Sequence, residues 1–84
     1  RQIDGIDEQL LELLAKRMRI SREIGVYKKE HNMPILQSPR YSEILEKRSN
    51  MGEQMDLSTE FVEEILKEIH EESVRQQMII MNEQ

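Results

Sequence analysis

Cysteine is absent from the 84-residue chain. That excludes a disulfide framework, a thiolate metal site and a cysteine nucleophile. Aromatic residues make up only 4% while charged residues make up 35%, a balance that suits long, solvent-rich helices better than a β-sheet core. Histidine is scarce: His31 and His70 lie far apart, with no ligand-like spacing to another histidine, so no metal site is expected. No run approaches the roughly 20 apolar residues that span a bilayer, and no signal-peptide pattern is present. The expectation is a soluble protein in a reducing, cytoplasmic setting, without a membrane partner. Positive charge is in deficit as well. The formal net charge is −5, which argues against nucleic acid, whose binding needs a basic surface. A chain this short makes one small domain at most. It starts with Arg1 rather than Met, so residues 1–84 read as a domain that a longer polypeptide could contain.

Three helices are predicted: long, short, long. The first runs from about residue 2 to about residue 31, through the strong helix formers Leu10, Leu11, Leu13, Leu14, Ala15 and Met18. Gly25 is its weak point, at a cost of roughly 1 kcal/mol against alanine. His31-Asn32-Met33-Pro34 ends it, because the residue before a proline is pushed out of the α region. The second helix is expected to begin near Pro39, with Ser38 as N-cap, and to fade at Asn50-Met51-Gly52. The third begins near Ser58 and continues to about Met81, with Glu60, Glu63 and Glu64 at its positive end.

The first helix carries one long stripe: Ile3, Ile6, Leu10, Leu13, Arg17, Ile20, Ile24 and Tyr27 step by threes and fours. Such a stripe faces a core or a partner helix. About 30 residues at 1.5 Å each span roughly 45 Å, whereas an 84-residue globule has a radius of gyration near 12 Å by the usual scaling. Such a rod overhangs its own globule, and a homodimer of packed long helices is inferred. A plain coiled coil would satisfy the same pattern.

Arg17 is the exception in that stripe. A guanidinium keeps its proton in a protein, so burying it unpaired is very costly and something anionic must meet it. Lys28 follows eleven residues later, three turns plus about 20°, so both cations look the same way from points roughly 16 Å apart. The third helix has its own stripe, Val62, Leu66, Ile69, Ser73, Gln77 and Ile80, in which Ser73 and Gln77 replace apolar residues. They lie four apart, one turn from each other on one face. Two inward cations could therefore face an inward hydroxyl and an inward amide, with Arg40 closing the ring.

Taken singly, each residue has a plainer explanation. Arg17 alone reads as an arginine paired with a glutamate, in its own chain or a partner's. Lys28 alone reads as a solvated residue whose stem lies along the surface. Gln77 could merely set the register of a coiled coil. Arg40 opposes the dipole at a helix start. His70 reads as a surface residue, the Glu63-Glu64 and Glu71-Glu72 pairs as solvated charge, and the six methionines as core filler. Jointly, the cations, hydroxyl and amide describe a cavity that holds a small polyanion by charge and hydrogen bonds. No nucleophile with an adjacent base is among them.

The run Ile3-Asp4-Gly5-Ile6-Asp7-Glu8-Gln9-Leu10-Leu11-Glu12-Leu13-Leu14-Ala15-Lys16-Arg17, followed by Ile24-Gly25 and Lys28, closely resembles the first helix of the all-helical chorismate mutases. The resemblance continues through Pro34-Ile35, Arg40 and Glu72-Ser73-Val74 with Gln77, over nearly the whole chain. It implies an all-α, intertwined three-helix homodimer and the Claisen rearrangement of chorismate, a dianion, to prephenate on the route to phenylalanine and tyrosine. By that resemblance Arg17 binds a substrate carboxylate and Lys28 and Gln77 donate to the ether oxygen. Ser73 helps hold a carboxylate, and Arg40 lines the same pocket. No metal or cofactor is implied.

Three positions depart from the family pattern. The arginine usual three residues before the isoleucine matching Ile3 falls before residue 1, with Arg1 one place off. Tyr41 stands where a carboxylate is common. Gln37 stands where an acidic residue is common, on the side expected to bind the substrate hydroxyl. Two rival functions remain open. Isochorismate pyruvate lyases are similar and use similar cations; alternatively, the chain is a non-catalytic helical regulatory or dimerisation module. Mutase domains of this family also occur fused to other aromatic-pathway enzymes, including prephenate dehydratase.

Overall fold

The computed structural model describes residues 1–35 and 41–83. It contains three helices, α1 (Gln2–Glu30), α2 (Tyr41–Gln54) and α3 (Thr59–Asn82), and no strand among the described residues. The chain divides into two compact units, one made of residues 1–35 and 72–84, the other of residues 36–71.

Helix ends follow local chemistry. At the end of α1, Asn32 takes φ 54°, the left-handed conformation that asparagine tolerates better than most residues. The Met33 N–H donates to the Lys28 carbonyl at 2.7 Å and the Asn32 N–H to that of Lys29 at 3.3 Å. This is the Schellman pattern, and it satisfies carbonyls that the helix leaves open. At the end of α2, Asp56 takes φ 63°, with Leu57 N–H donating to Gly52 O at 2.9 Å and Asp56 N–H to Glu53 O at 3.1 Å. At the start of α3, the Ser58 hydroxyl accepts the Phe61 N–H at 3.3 Å, as an N-cap should.

The expected end of α2 at Asn50-Met51-Gly52 is therefore corrected: the helix continues to Gln54. Gly52 is buried inside it, and a Cβ there would stand 2.7 Å from Cγ2 of Val62. The glycine serves close packing, and the turn chemistry belongs to Asp56. The expected start of α2 at Ser38-Pro39 lies outside the described residues.

In the first unit, α1 and the last turns of α3 pack side by side. Ser21 meets Ser73, Arg22 meets Gln76, Lys28 meets Gln77 and Lys29 meets Ile80. The sequence separation stays between 49 and 54 residues across these pairs, so the two helices run parallel. The shielded positions of α1 are Leu14, Met18, Ser21, Gly25, Lys28 and Lys29. The apolar stripe, expected to face a core or a partner helix, lies beside this face. Along Ile3, Ile6, Leu10, Leu13, Ile20, Ile24 and Tyr27, exposure runs from 42% to 71%, and the neighbouring face of α1 meets α3. That face is small and polar: Gly25 is buried, and a Cβ on it would lie 3.1 Å from the Gln77 Cα. The glycine that costs helix propensity lets the two backbones approach.

In the second unit, the Tyr41 and His70 rings stack with centroids 4.1 Å apart. His70 is thus half-buried and in ring contact, a correction to its expected surface position. No hydrophobic side chain among the described residues is buried. The methionines are accordingly not core filler in the single chain: Met33, Met51, Met55 and Met78 are exposed, and Met18 and Met81 half-buried.

Candidate functional site

Lys28 sits in the last turn of α1, half-buried, and its Nζ donates to Oε1 of Gln77 at 3.1 Å. Gln77 is buried on α3. With its oxygen held by the ammonium, the amide keeps its NH2 as a free donor, and Lys28 keeps two of its three N–H donors. The pair thus offers one full charge and several hydrogen-bond donors within a few ångströms.

One turn earlier on α3, Ser73 is buried at 7% exposure. Its Oγ accepts from the Ser21 hydroxyl at 3.0 Å and itself donates to the Met18 thioether at 3.9 Å. A thioether is a weak acceptor, so this hydrogen is available to a stronger one. Ser73 and Gln77 are the two buried residues of α3, which matches the polar interruption read in its stripe.

Arg17 lies one turn before Ser21 on α1, on the same side of the helix. It is exposed, and the described residues give it no hydrogen bond or ion pair. Its expected alternative partner, a glutamate of the same chain, is not found among the described residues. The ion pairs found there join the N-terminal ammonium to Asp4 and Arg75 to Glu72. Arg40 and Gln37, both expected to line the pocket, lie outside the described residues. The structure therefore brings Lys28, Gln77 and Ser73 together and leaves Arg17 open to solvent close by along α1.

Sequence reasoning missed a second polar layer. Arg22 Nη1 donates to Gln76 Oε1 at 3.2 Å, and Gln76 Nε2 donates to Glu72 Oε2 at 2.6 Å. Arg75 Nε donates to the other Glu72 oxygen at 2.7 Å. The Gln76 amide first, and the Arg75 guanidinium second, hold the Glu72 carboxyl below its usual range. The Glu71-Glu72 pair is thus not simply solvated charge. Lys29 Nζ donates to the carbonyls of Ile80 and Glu83 and so closes the C-terminal end of α3, where cations suit the helix dipole. Ser21 was also missed. Its signal was a hydroxyl four residues after Arg17, three before Ile24 and outside the apolar stripe.

Two of the cavities among the described residues lie elsewhere. One of about 510 Å³ is lined by Lys29, Met33, Pro34, Ile35, Met78 and Met81, with Asn32 and Asn82. The other, of about 520 Å³, lies beside the Tyr41–His70 stack, among Glu60, Glu63, Glu64, Lys67 and Glu71. Arg17, Lys28, Ser73 and Gln77 line neither. Among the described residues no group of three or more His, Asp or Glu is placed to hold a metal ion, and no helix is long and apolar enough to cross a membrane.

Comparison with known proteins identifies the family. The family profile described as chorismate mutase type II matches residues 1–78. A bifunctional chorismate mutase/prephenate dehydratase of Buchnera aphidicola (subsp. Schizaphis graminum) is 35% identical over 81 residues, which is 96% of this chain and 21% of that protein. The T-protein of Enterobacter agglomerans is 33% identical over 72 residues, 86% of this chain and 19% of that protein. A bifunctional chorismate mutase/prephenate dehydratase of Aquifex aeolicus is 43% identical over 47 residues, 56% of this chain and 13% of that protein. The chain thus spans about a fifth or less of the length of these relatives. With the profile matched over almost all of its length, the chain belongs to the chorismate mutase type II family.

Proposed function

We propose that this chain is a chorismate mutase that rearranges chorismate to prephenate. The observation that carries the reading is the Lys28–Gln77 contact at 3.1 Å, a cation and an amide donor set side by side in a half-buried seam. In the rearrangement the ether C–O bond breaks while a C–C bond forms, and negative charge grows on the departing oxygen. Lys28 Nζ and the Gln77 NH2 donate to that oxygen, which strengthens both interactions in the transition state. Arg17 and Ser73 hold a substrate carboxylate, and Arg40 adds a third cation. The step is unimolecular and needs no proton transfer. Catalysis comes from holding the compact chair-like conformer and from stabilising charge where it develops.

The working unit in this reading is a homodimer. Seven large side chains of the α1 stripe stand 42% to 71% exposed. At about 1.5–3 kcal/mol for each fully buried side chain of this size, covering the stripe is worth on the order of 10 kcal/mol, comparable with the whole stability of a typical domain. A second copy of α1 supplies a surface of the same length and chemistry, and Arg17 in that stripe then borders the interface. The matched relatives that carry a dehydratase name support association of this domain with a second aromatic-pathway activity, which the flanking reading frame tests.

The test offers chorismate and isochorismate separately and identifies the products. Prephenate from chorismate, with little salicylate from isochorismate, is the expected result. Salicylate and pyruvate as the main products would assign the site to lyase chemistry, and no turnover of either substrate would favour the regulatory module.

A further inference from the structure

Ser21 is buried at 5% exposure, and its hydroxyl donates to the Ser73 hydroxyl at 3.0 Å across the α1–α3 seam. We infer that Ser21 is a positioning residue that turns the Ser73 hydroxyl into an oriented donor for the substrate carboxylate. This rests on the reading of Ser73 as a carboxylate ligand.

A serine hydroxyl has one hydrogen and two lone pairs. Unconstrained, it rotates and presents either face. Accepting from Ser21 occupies a lone pair of Ser73 and leaves its hydrogen to point away from Ser21. That hydrogen is directed to the Met18 sulfur at 3.9 Å, an acceptor weak enough for a carboxylate oxygen to displace at little cost. Hydroxyls linked in series also polarise one another, so a Ser73 that accepts from Ser21 is a better donor than an isolated one. Packing alone does not ask for this hydroxyl. At this buried helix position, alanine is smaller than serine and favours helix over it. A buried hydroxyl at a helix-interior position, paired across helices to the hydroxyl of the site, therefore points to orientation of the ligand group.

The experiment is a double-mutant cycle on the intact protein: wild type, Ser21→Ala, Ser73→Ala and the double variant. The readouts are KM and kcat for chorismate, the Kd of a bicyclic ether dicarboxylate that mimics the transition state, and the thermal midpoint. Loss of one neutral hydrogen bond's worth of orientation should raise KM and Kd about 2- to 10-fold in Ser21→Ala. The kcat should change less than KM, because carboxylate binding is shared by ground and transition states. In the Ser73→Ala background the same substitution should change neither constant. Equal effects in both backgrounds, no effect on KM and Kd, or a loss that tracks only a lowered thermal midpoint would overturn the inference. If wild type makes prephenate and Ser73→Ala raises KM while the cycle shows no coupling, only the role of Ser21 fails. If wild type makes no prephenate, both readings fail.

Discussion

Gly25→Ala puts the geometry of the seam to a quantitative test. Two effects oppose each other. Alanine in place of glycine inside an exposed helix gains about 0.8–1 kcal/mol of propensity. Against that, the new Cβ would meet the Gln77 Cα at 3.1 Å, the Gln77 carbonyl oxygen at 3.3 Å and the Ile80 Cβ at 3.3 Å. Two of those three atoms are backbone of a hydrogen-bonded helix, which cannot step aside by rotating a side chain. Overpacking of this kind costs typically about 1–3 kcal/mol, so the net change is a destabilisation of about 0–2 kcal/mol. For a domain of this size each 1 kcal/mol moves the thermal midpoint by about 4–8 °C. Activity should respond more strongly than stability. Relief of the contact moves Gln77 away from Lys28, and misplacement on the order of 1 Å can cost about a hundredfold in rate. The assay is thermal melting by circular dichroism beside kcat/KM for chorismate at a temperature where both proteins are folded. A midpoint lowered by up to roughly 15 °C with kcat/KM down at least about tenfold is expected. A raised midpoint with unchanged kcat/KM would refute the close-approach argument.

Three further outcomes follow from particular contacts. Gly52→Ala should destabilise by about 1–3 kcal/mol, because its Cβ would stand 2.7 Å from a methyl of the stiff, half-buried Val62. Val62→Ala in the same chain should restore part of that loss in a denaturant titration, and simple additivity would count against the contact. In the wild type, log kcat/KM should be nearly flat from about pH 6 to 8, because the neutral Gln77 donates at every pH and no ligand named has a reference pKa there. In Gln77→Glu, kcat should fall as pH rises above roughly 5, since a carboxylate beside the departing oxygen opposes its charge once ionised; a flat profile for that variant would exclude the residue from the ether contact. Finally, the Glu72 carboxyl is held below its ordinary value of 4.5 by Gln76 and Arg75. Its stabilising contribution is present above that ordinary value and is lost as pH falls through the lowered one. The difference in thermal midpoint between wild type and Glu72→Gln should therefore be constant near neutrality and close in acid; a difference that persists at pH 3 would mean the carboxylate charge is not what matters.

Much of the architecture was legible because it depends on local chemistry. Asn32 and Pro34 end α1, Ser58 caps α3, and the α3 stripe from Val62 to Ile80 is the shielded one. The polar interruptions at Ser73 and Gln77 were readable for the same reason: a buried polar group stands out against an apolar period. Two features were not legible. The face that α1 turns to α3 is built from Met18, Ser21, Gly25 and Lys28, and a seam of small and polar residues leaves no trace in hydrophobic periodicity. The strong period on α1 belongs to the neighbouring face, which is exposed in the single chain. Gly52 shows the second limit. Glycine after an apolar run is an ordinary stop signal, yet here Val62, ten residues on, decides its role, and a contact across chain segments cannot be read from the local sequence. The Tyr41–His70 stack was hidden in the same way. Within the candidate site, the meeting of Lys28 with Gln77 was foreseen from helical spacing and family resemblance together, whereas the Ser21 hydroxyl and the Arg22–Gln76–Glu72 relay depend on how α1 and α3 pack.

The central claim is that Lys28, set against Gln77, stabilises charge on a departing oxygen. Its most direct measurement is the rate of chorismate disappearance, with prephenate identified as product, for wild type beside Lys28→Ala at matched fold content. Loss of one such donor should cost about 2–4 kcal/mol of transition-state stabilisation, a fall in kcat of about 30- to 1000-fold. A Lys28→Ala protein that turns over chorismate at the wild-type rate would contradict the account.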